Sequence, residues 1–174
     1  MQGVVLCLDE ANHTRVQGLA ESLEQFGGRP ATIGLPHLTL HAAKQYDIEK
    51  VNKRVLSLGR SLPPVTLTST GIGVFPGEKT YVYLTVVRNP RLALLQRTTY
   101  EEIRLLGTGS EPVWAPDRWV PHITLAQFER GARVGEAVQH LLSKDVPFEC
   151  VVPEISVIEG EPTARVITSA PFDA

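Results

Sequence analysis

The chain has 174 residues, of which 43% are hydrophobic and 21% are charged, values that are ordinary for a folded globular protein. The net charge of −2 at pH 7 excludes a broadly basic surface that holds long nucleic-acid duplexes by their phosphates. Cys7 and Cys150 lie far apart and form no CxxC motif, so we expect reduced thiols. The N-terminal apolar run, residues 4–8, is too short for a signal peptide or a membrane span, so we expect a cytoplasmic protein.

Apolar periodicity and turn residues divide the chain into strands and helices. In chain order, the predicted strands span residues 4–8, 37–41, 65–75, 80–87, 120–128, 148–158 and 164–169. The predicted helices span residues 12–26, 47–58, 89–106 and 134–143, with Asn12 as the cap of the first.

Turns complete this pattern. Residues 76–79 form a hairpin turn, residues 107–119 form a loop rich in Gly and Pro, and Glu159-Gly160-Glu161-Pro162 joins the last two strands. The mixture of hairpins with strand–helix alternation predicts an α+β fold with mostly antiparallel pairing. Because no linker of shifted composition divides the chain, we expect one domain, residues 1–174, with two lobes.

A five-residue pattern occurs twice in the chain. Pro36-His37-Leu38-Thr39-Leu40 and Pro121-His122-Ile123-Thr124-Leu125 differ only in one aliphatic residue. A second match by accident has odds on the order of one in a thousand or less. Each copy follows a helix and a loop and precedes another helix, which predicts two halves related by an approximate two-fold axis.

Strand geometry predicts where these side chains point. Alternate residues of a strand share a face, so we expect His37, Thr39 and His41 to lie on one face and His122 and Thr124 to do likewise. Pseudo-symmetry then brings the two polar faces together as a cleft that holds two imidazoles and two hydroxyls.

Two imidazoles and two hydroxyls in one cleft suit phosphodiester chemistry. Transfer at phosphorus needs one group that removes a proton from the nucleophile and another that protonates the leaving oxygen, and histidine does both near neutral pH. The hydroxyls of Thr39 and Thr124 can donate hydrogen bonds to the phosphate oxygens. We therefore expect His37 and His122 to be catalytic, with no metal required.

On these residues the chain resembles the 2H phosphoesterase superfamily, whose hallmark is two His-x-Thr/Ser motifs. It is most similar to the bacterial 2′-5′ RNA ligase-like, or RNA 2′,3′-cyclic phosphodiesterase, branch. Residues 67–76 followed by Tyr81-Val82-Tyr83-Leu84-Thr85-Val86 are similar to the strand-Gly-x-Gly-x-Phe-Pro-strand hairpin of that branch.

This resemblance implies a bilobal, pseudo-two-fold-symmetric fold whose sheets line a central cleft and whose helices pack outside. It implies metal-independent hydrolysis of a 2′,3′-cyclic phosphate on an RNA end or a nucleotide, with 2′-5′ RNA ligase activity in some members. Many members carry basic residues soon after the motifs, whereas here Ala126-Gln127-Phe128-Glu129 precedes Arg130, which favours a small cyclic phosphate. We expect no cofactor, no metal, no membrane contact and a monomer.

Three further residues are candidates for substrate contacts. His41 either contacts the phosphate or ribose or is a structural residue at the strand end. Tyr83 either stacks on a base or anchors the core, and Arg130 either binds phosphate or is a solvated surface charge. Gly71-x-Gly73 lacks the third glycine of a dinucleotide-binding motif and is interpreted as a strand bend.

Two other functions compete with an enzyme. The same cleft could retain an RNA end or a nucleotide without turnover, as a binding module. Alternatively, His37, His41 and His122 could ligate zinc with an open position, although no carboxylate shares their predicted face.

Overall fold

The structure, a computed structural model, describes residues 1–31, 34–160 and 163–173. Within these residues, the strands are β1 (Gln2–Cys7), β2 (Gly28–Pro30), β3 (His37–Ala43), β4 (Gln45–Tyr46), β5 (Val65–Phe75), β6 (Thr80–Val86), β7 (Gly107–Thr108), β8 (His122–Phe128), β9 (Phe148–Val152), β10 (Glu154–Glu159) and β11 (Arg165–Pro171). The helices are α1 (Glu10–Glu21), α2 (Ile48–Ser61), α3 (Pro90–Ile103) and α4 (Val134–Leu141).

An antiparallel sheet of nine strands dominates the described part of the chain, which confirms the predicted α+β class. Its order is β11-β10-β1-β3-β8-β6-β5-β9, and β2 pairs with β8 on the same side as β3. Where the two halves of the sheet meet, the described register joins β3 to β8 through the single pair Leu38 and Ile123. The first lobe therefore contains β11, β10, β1 and β3, and the second contains β2, β8, β6, β5 and β9.

The two lobes repeat the same strand register. In the first lobe, Val5 on β1 lies opposite Thr39 on β3. In the second lobe, Tyr83 on β6 lies opposite Thr124 on β8. The predicted internal repeat is thus part of a larger structural correspondence, in which β1 and β6 support the two copies of the five-residue pattern.

Each copy of the pattern also ends in a β-bulge. Val5 and Val4 pair with Thr39 and His41, so Leu40 is an extra residue on β3. A bulge leaves the extra residue outside the ladder and shifts the following side chains to the other face. The carbonyl oxygen of Leu40 accepts a hydrogen bond from Gln96 Nε2 at 3.3 Å.

The second bulge lies at the equivalent position of β8. Tyr83 and Val82 pair with Thr124 and Ala126, which makes Leu125 the extra residue. Its carbonyl accepts a hydrogen bond from the amide of Ala31 at 3.1 Å. The carbonyl groups of the two bulge residues, Leu40 and Leu125, are therefore equivalent in position but accept hydrogen bonds from different partners in the two lobes.

The four helices pack behind the sheet, on the face opposite the polar residues of the two patterns. Helix α2 contacts β10 and β11, α3 contacts β3 and β5, α1 contacts β8, and α4 contacts β6. The aliphatic residues that alternate with the histidines and threonines are fully buried on this side: Leu38, Leu40, Ile123 and Leu125. Burial of one such side chain stabilises the fold by roughly 1.5–3 kcal/mol, so each pattern anchors its polar face from behind.

The structure differs from the predicted elements most clearly at two places. Residues 148–158 form two strands, because Pro153 cannot continue a hydrogen-bonded ladder; β9 pairs with β5 and β10 pairs with β1. The first helix is capped by Asp9, which accepts a hydrogen bond from the Asn12 amide at 2.8 Å, and it ends at Glu21. The predicted turn at 159–162 lies partly outside the described residues. No described helix is both long and apolar enough to cross a membrane.

Candidate active site

The predicted polar residues of the two patterns meet at the contact between the lobes. The antiparallel register there places His37 beside Thr124 and Thr39 beside His122 on one face of the sheet. All four side chains line the same cleft, whose volume is about 440 Å³. The structure thus brings together two imidazoles and two hydroxyls from distant parts of the sequence.

The two imidazoles are held in the same way. His37 Nδ1 donates to the carbonyl oxygen of Leu35 at 2.7 Å, and His122 Nδ1 donates to that of Val120 at 2.8 Å. A carbonyl oxygen only accepts, so each neutral ring carries its proton on Nδ1. Within the described residues neither Nε2 has a hydrogen-bond partner, which leaves two basic nitrogens for a ligand in the cleft.

The surroundings keep both rings neutral near pH 7. Burial lowers the pKa of His37, and a positive charge on His122 would lower it further, whereas the hydrogen bond to Leu35 raises it. Burial also lowers the pKa of His122, against the opposing effect of the bond to Val120. The pKa of each ring therefore lies below the ordinary histidine value of about 6.5.

Aromatic rings pack against His122 from the second lobe. The rings of Phe75 and Tyr83 stack with centroids 4.1 Å apart. The His122 ring meets Phe75 nearly perpendicularly at 4.9 Å and Tyr83 at 5.2 Å. Edge-to-face contacts of this kind add about 0.5–1.5 kcal/mol each beyond the area they bury, so the pair fixes the plane of the imidazole.

Gly73 gives this aromatic pair its room. It lies directly opposite Tyr83 in the hairpin, and a Cβ at Gly73 would lie 2.3 Å from atoms of the Tyr83 ring. The interpretation of Gly71-x-Gly73 as a strand bend therefore misses the role of Gly73, which is to let the tyrosine ring lie flat against the strand.

The structure corrects the predicted contact at Tyr83. This side chain exposes 8% of its surface and does not line the cleft, whereas Phe75 and Tyr81 do. Tyr83 lies behind Phe75 because the two rings stack across neighbouring strands. Arg130 is exposed beyond the end of β8 and is likewise absent from the cleft wall.

His41 does not share the face of His37 and Thr39, contrary to the prediction. The bulge at Leu40 turns its side chain to the buried side of β3, where it is fully enclosed. Its Nδ1 lies 2.6 Å from the Tyr46 hydroxyl and its Nε2 lies 2.9 Å from Ser110 Oγ. Burial lowers its pKa to about 4, so His41 is a neutral structural residue.

This placement also argues against the alternative zinc site, because His41 and the two cleft histidines lie on opposite faces of the sheet. Among the residues that the structure describes, no cluster of three or more His, Cys, Asp or Glu side chains is arranged to hold a metal ion.

Further cleft residues come from parts of the chain that show no sequence motif. The loop before the second pattern contributes Glu111, Trp114, Arg118 and Trp119. Trp119 Nε1 donates to the carbonyl oxygen of Thr39 at 2.9 Å, which ties this loop to β3. Arg118 is the one Arg or Lys side chain in the described cleft wall. Sequence reasoning misses it, because a single arginine in a loop resembles any surface charge.

An antiparallel α+β fold with two His-x-Thr motifs on one cleft defines the class of two-histidine (2H) phosphoesterases. A sequence profile of the 2′-5′ RNA ligase superfamily matches residues 8–163. The chain belongs to this superfamily. No curated protein sequence is significantly similar to it.

Solved structures share the fold over nearly the whole chain. The protein TT0787 of Thermus thermophilus is 22% identical, with a TM-score of 0.67 over 98% of this chain and 97% of that chain. Apo LigT of E. coli is 20% identical, with a TM-score of 0.67 over 99% and 97%. Usb1 of Kluyveromyces marxianus is 11% identical, with a TM-score of 0.60 over 98% and 97%. LigT has also been crystallised with phosphate, with 3′-AMP and with ATP.

Proposed function

We propose that this protein is a metal-independent phosphodiesterase that opens a 2′,3′-cyclic phosphate on RNA ends or nucleotides. The observation that carries the proposal is the matched pair of imidazoles in one cleft. Each ring has Nδ1 tied to a backbone carbonyl, and each leaves Nε2 without a partner among the described residues. Each also lies beside a threonine hydroxyl of the other lobe.

The proposed reaction uses one histidine as a base and the other as an acid. Nε2 of the neutral ring removes a proton from water as the water oxygen bonds to phosphorus. The other ring, protonated at Nε2, gives its proton to the ribose 3′-oxygen as the bond between phosphorus and that oxygen breaks. The product is a 2′-phosphate, and the base and the acid have exchanged protonation states.

Thr39 and Thr124 hold the phosphate during this exchange. Their hydroxyls donate hydrogen bonds to the non-bridging oxygens, on which charge increases in the transition state. Because the threonines lie on different strands, they grip the phosphate from both lobes. If a ribose 5′-hydroxyl takes the place of water, the same steps join two RNA ends through a 2′-5′ linkage.

The size of the cleft and the ligands of a relative support a nucleotide substrate. A volume of about 440 Å³ lies within the range of pockets that enclose one small ligand. E. coli LigT, which shares the fold, binds phosphate and 3′-AMP in its crystal structures.

We expect purified protein to open at least one of the four nucleoside 2′,3′-cyclic phosphates in excess EDTA, because no proposed step uses a metal. Turnover is followed by ³¹P NMR, which distinguishes a 2′-phosphate from a 3′-phosphate and from the cyclic ester. A 3′-phosphate product would contradict the proposed direction of ring opening. Tight binding of these nucleotides with no turnover in any of them would instead support the binding module.

A further inference from the structure

A row of cross-strand neighbours extends the cleft across the second lobe. Phe75 lies opposite Tyr81, Tyr81 lies opposite Gln127, and Gln127 lies opposite Arg29. Residues directly opposite each other in a sheet share a face. Since Phe75 and Tyr81 line the cleft, Gln127 and Arg29 lie on the cleft side as well. We call these four residues the lobe-two row.

The position of Ala31 supports this placement of Arg29 independently. Ala31 follows Arg29 by two residues, is bonded through its amide to β8, and lines the cleft. Arg29 is exposed, and it forms no ion pair with any side chain in the described residues. Its guanidinium is therefore a cation at the outer end of the row without a fixed counter-charge.

Gln127 is held in one orientation between its neighbours. Its Oε1 accepts a hydrogen bond from the Tyr81 hydroxyl at 3.3 Å, and its Nε2 donates to Glu129 Oε1 at 3.1 Å. Glu129 thus places a carboxylate beside the row, where it accepts this hydrogen bond from the amide of Gln127.

The order of groups along the row matches the order of groups in a nucleotide. Thr124 sits at the phosphate position between the histidines, and Phe75 and Tyr81 offer ring faces on which a base stacks. Thr124 and Gln127 lie opposite Tyr83 and Tyr81, which are two residues apart on β6, so Gln127 lies about 6.8 Å from Thr124 along the strand. Arg29 extends from the neighbouring strand, about 4.8 Å further across. A guanidinium binds phosphate with two parallel hydrogen bonds.

We propose that Arg29 binds the phosphate on the 5′-carbon of the nucleoside whose cyclic phosphate lies between the histidines. The preferred substrate is then a nucleotide with phosphates at both ends of the ribose, and a cyclic nucleotide with a free 5′-hydroxyl is a weaker ligand. This inference rests on the proposed function for the position of the cyclic phosphate. The 5′-phosphate comes either from a free 5′-monophosphate or from the preceding linkage of an RNA end.

Arg118 is the alternative cation for binding the 5′-phosphate. It lines the cleft in the loop before the second pattern, and Glu111 of the same loop also lines it. A ligand that pointed its 5′-phosphate toward this loop would depend on Arg118. We assign the phosphate to the lobe-two row, because the aromatic rings and the cation there lie on one continuous sheet face.

Binding of product-like ligands tests the assignment without any turnover. Adenosine 2′-monophosphate and adenosine 2′,5′-bisphosphate are titrated into the wild type, Arg29→Gln, Arg118→Gln and Arg60→Gln by calorimetry at one salt concentration. Arg60 is exposed on α2, behind the sheet, so its variant carries the same loss of charge away from the cleft. Loss of one charge-assisted hydrogen bond to a phosphate lowers the affinity by a factor of about ten or more.

We expect the wild type to bind the bisphosphate at least about tenfold more tightly than the monophosphate. The ratio of the two Kd values should fall close to one in Arg29→Gln and stay near the wild-type value in the other two variants. A wild-type ratio near one overturns the inference, and so does a ratio that collapses in Arg118→Gln instead.

Two further arms complete the test. The dinucleotide ApA with a terminal 2′-phosphate carries the same 5′-phosphate as a diester, so tighter binding of this dinucleotide than of the bisphosphate assigns the site to RNA ends. Tighter binding of the bisphosphate assigns it to free nucleotides. The protein could fail to turn over any cyclic nucleotide while the ratio of the two Kd values still falls in Arg29→Gln. That result would contradict the proposed function and still support Arg29 as the binding site of the 5′-phosphate.

Discussion

Replacing either His37 or His122 by asparagine is expected to lower kcat/KM for a 2′,3′-cyclic nucleotide by about 10²–10⁴-fold. In the wild type, Nδ1 of each histidine donates to the carbonyl oxygen of Leu35 or Val120. Asparagine keeps an N–H donor near that position but lacks the basic Nε2. The substitution therefore separates proton transfer from the support of the ring. Initial rates measured with the best substrate of the cyclic nucleotide series test this expectation.

His13→Asn is the matched control, since His13 lies on α1 and contacts Gln17 away from the cleft. This variant should keep the wild-type rate, and thermal melting should show all three variants folded. A folded His37→Asn or His122→Asn variant with near-normal turnover would remove that histidine from the chemistry.

Gly73→Ala is expected to disturb the aromatic support of His122. The added methyl would lie 2.3 Å from the Tyr83 ring, which is stacked on Phe75 and touches His122. Forcing extra volume into a packed site costs about 1–3 kcal/mol. We expect a lower free energy of unfolding by this amount in chemical denaturation, together with a clear loss of kcat.

Gly71→Ala is the control for this substitution, because it adds the same methyl two residues away on the same strand. There the nearest atom is Thr85 Oγ1 at 3.5 Å, an ordinary contact, so stability and kcat should change little. In the double variant Gly73→Ala/Tyr83→Ala, removal of the Tyr83 ring should make room for the methyl group of the alanine at position 73. Equal effects of the two glycine substitutions would show that Gly73 has no special role.

The repeated pattern made much of the site predictable from the sequence. Five residues in one order, present twice, identified His37, Thr39, His122 and Thr124, because the chemistry restricts which side chains can occupy those positions. The same strands explain why the aliphatic residues between them are buried, since alternate residues of a strand point to opposite faces.

The bulges could not be predicted, and they decide the position of His41. If residues alternated strictly between the two faces of β3, His41 would share a face with Thr39. The extra residue at Leu40 instead turns the His41 side chain into the core. The sequence holds no signal for this irregularity, because it depends on Gln96 of α3 satisfying the freed carbonyl.

The aromatic residues of the cleft were also beyond sequence reasoning. Tyr81 and Tyr83 share a face of β6, yet only Tyr81 reaches the cleft wall, because Phe75 from β5 covers Tyr83. The contribution of Arg29 depends in the same way on pairing between distant strands, which local patterns do not specify.

The central claim is that two neutral imidazoles, each protonated at Nδ1, present Nε2 to one phosphate. Nitrogen-15 NMR of the histidine side chains tests this most directly, with His37→Asn and His122→Asn used to assign the signals. Both pKa values lie below the ordinary value. Each ring should therefore be neutral with the proton on Nδ1 at pH 7.5, and each should gain its second proton only as the pH falls below about 6.5.

Addition of adenosine 2′-monophosphate at pH 7.5 should shift both Nε2 signals together and leave His41 unchanged, because its pKa of about 4 and its buried contacts isolate it. The negative phosphate should also raise the fraction of imidazolium in the pair. A neutral ring with its proton on Nε2, or a ligand response confined to one of the two histidines, would contradict the account.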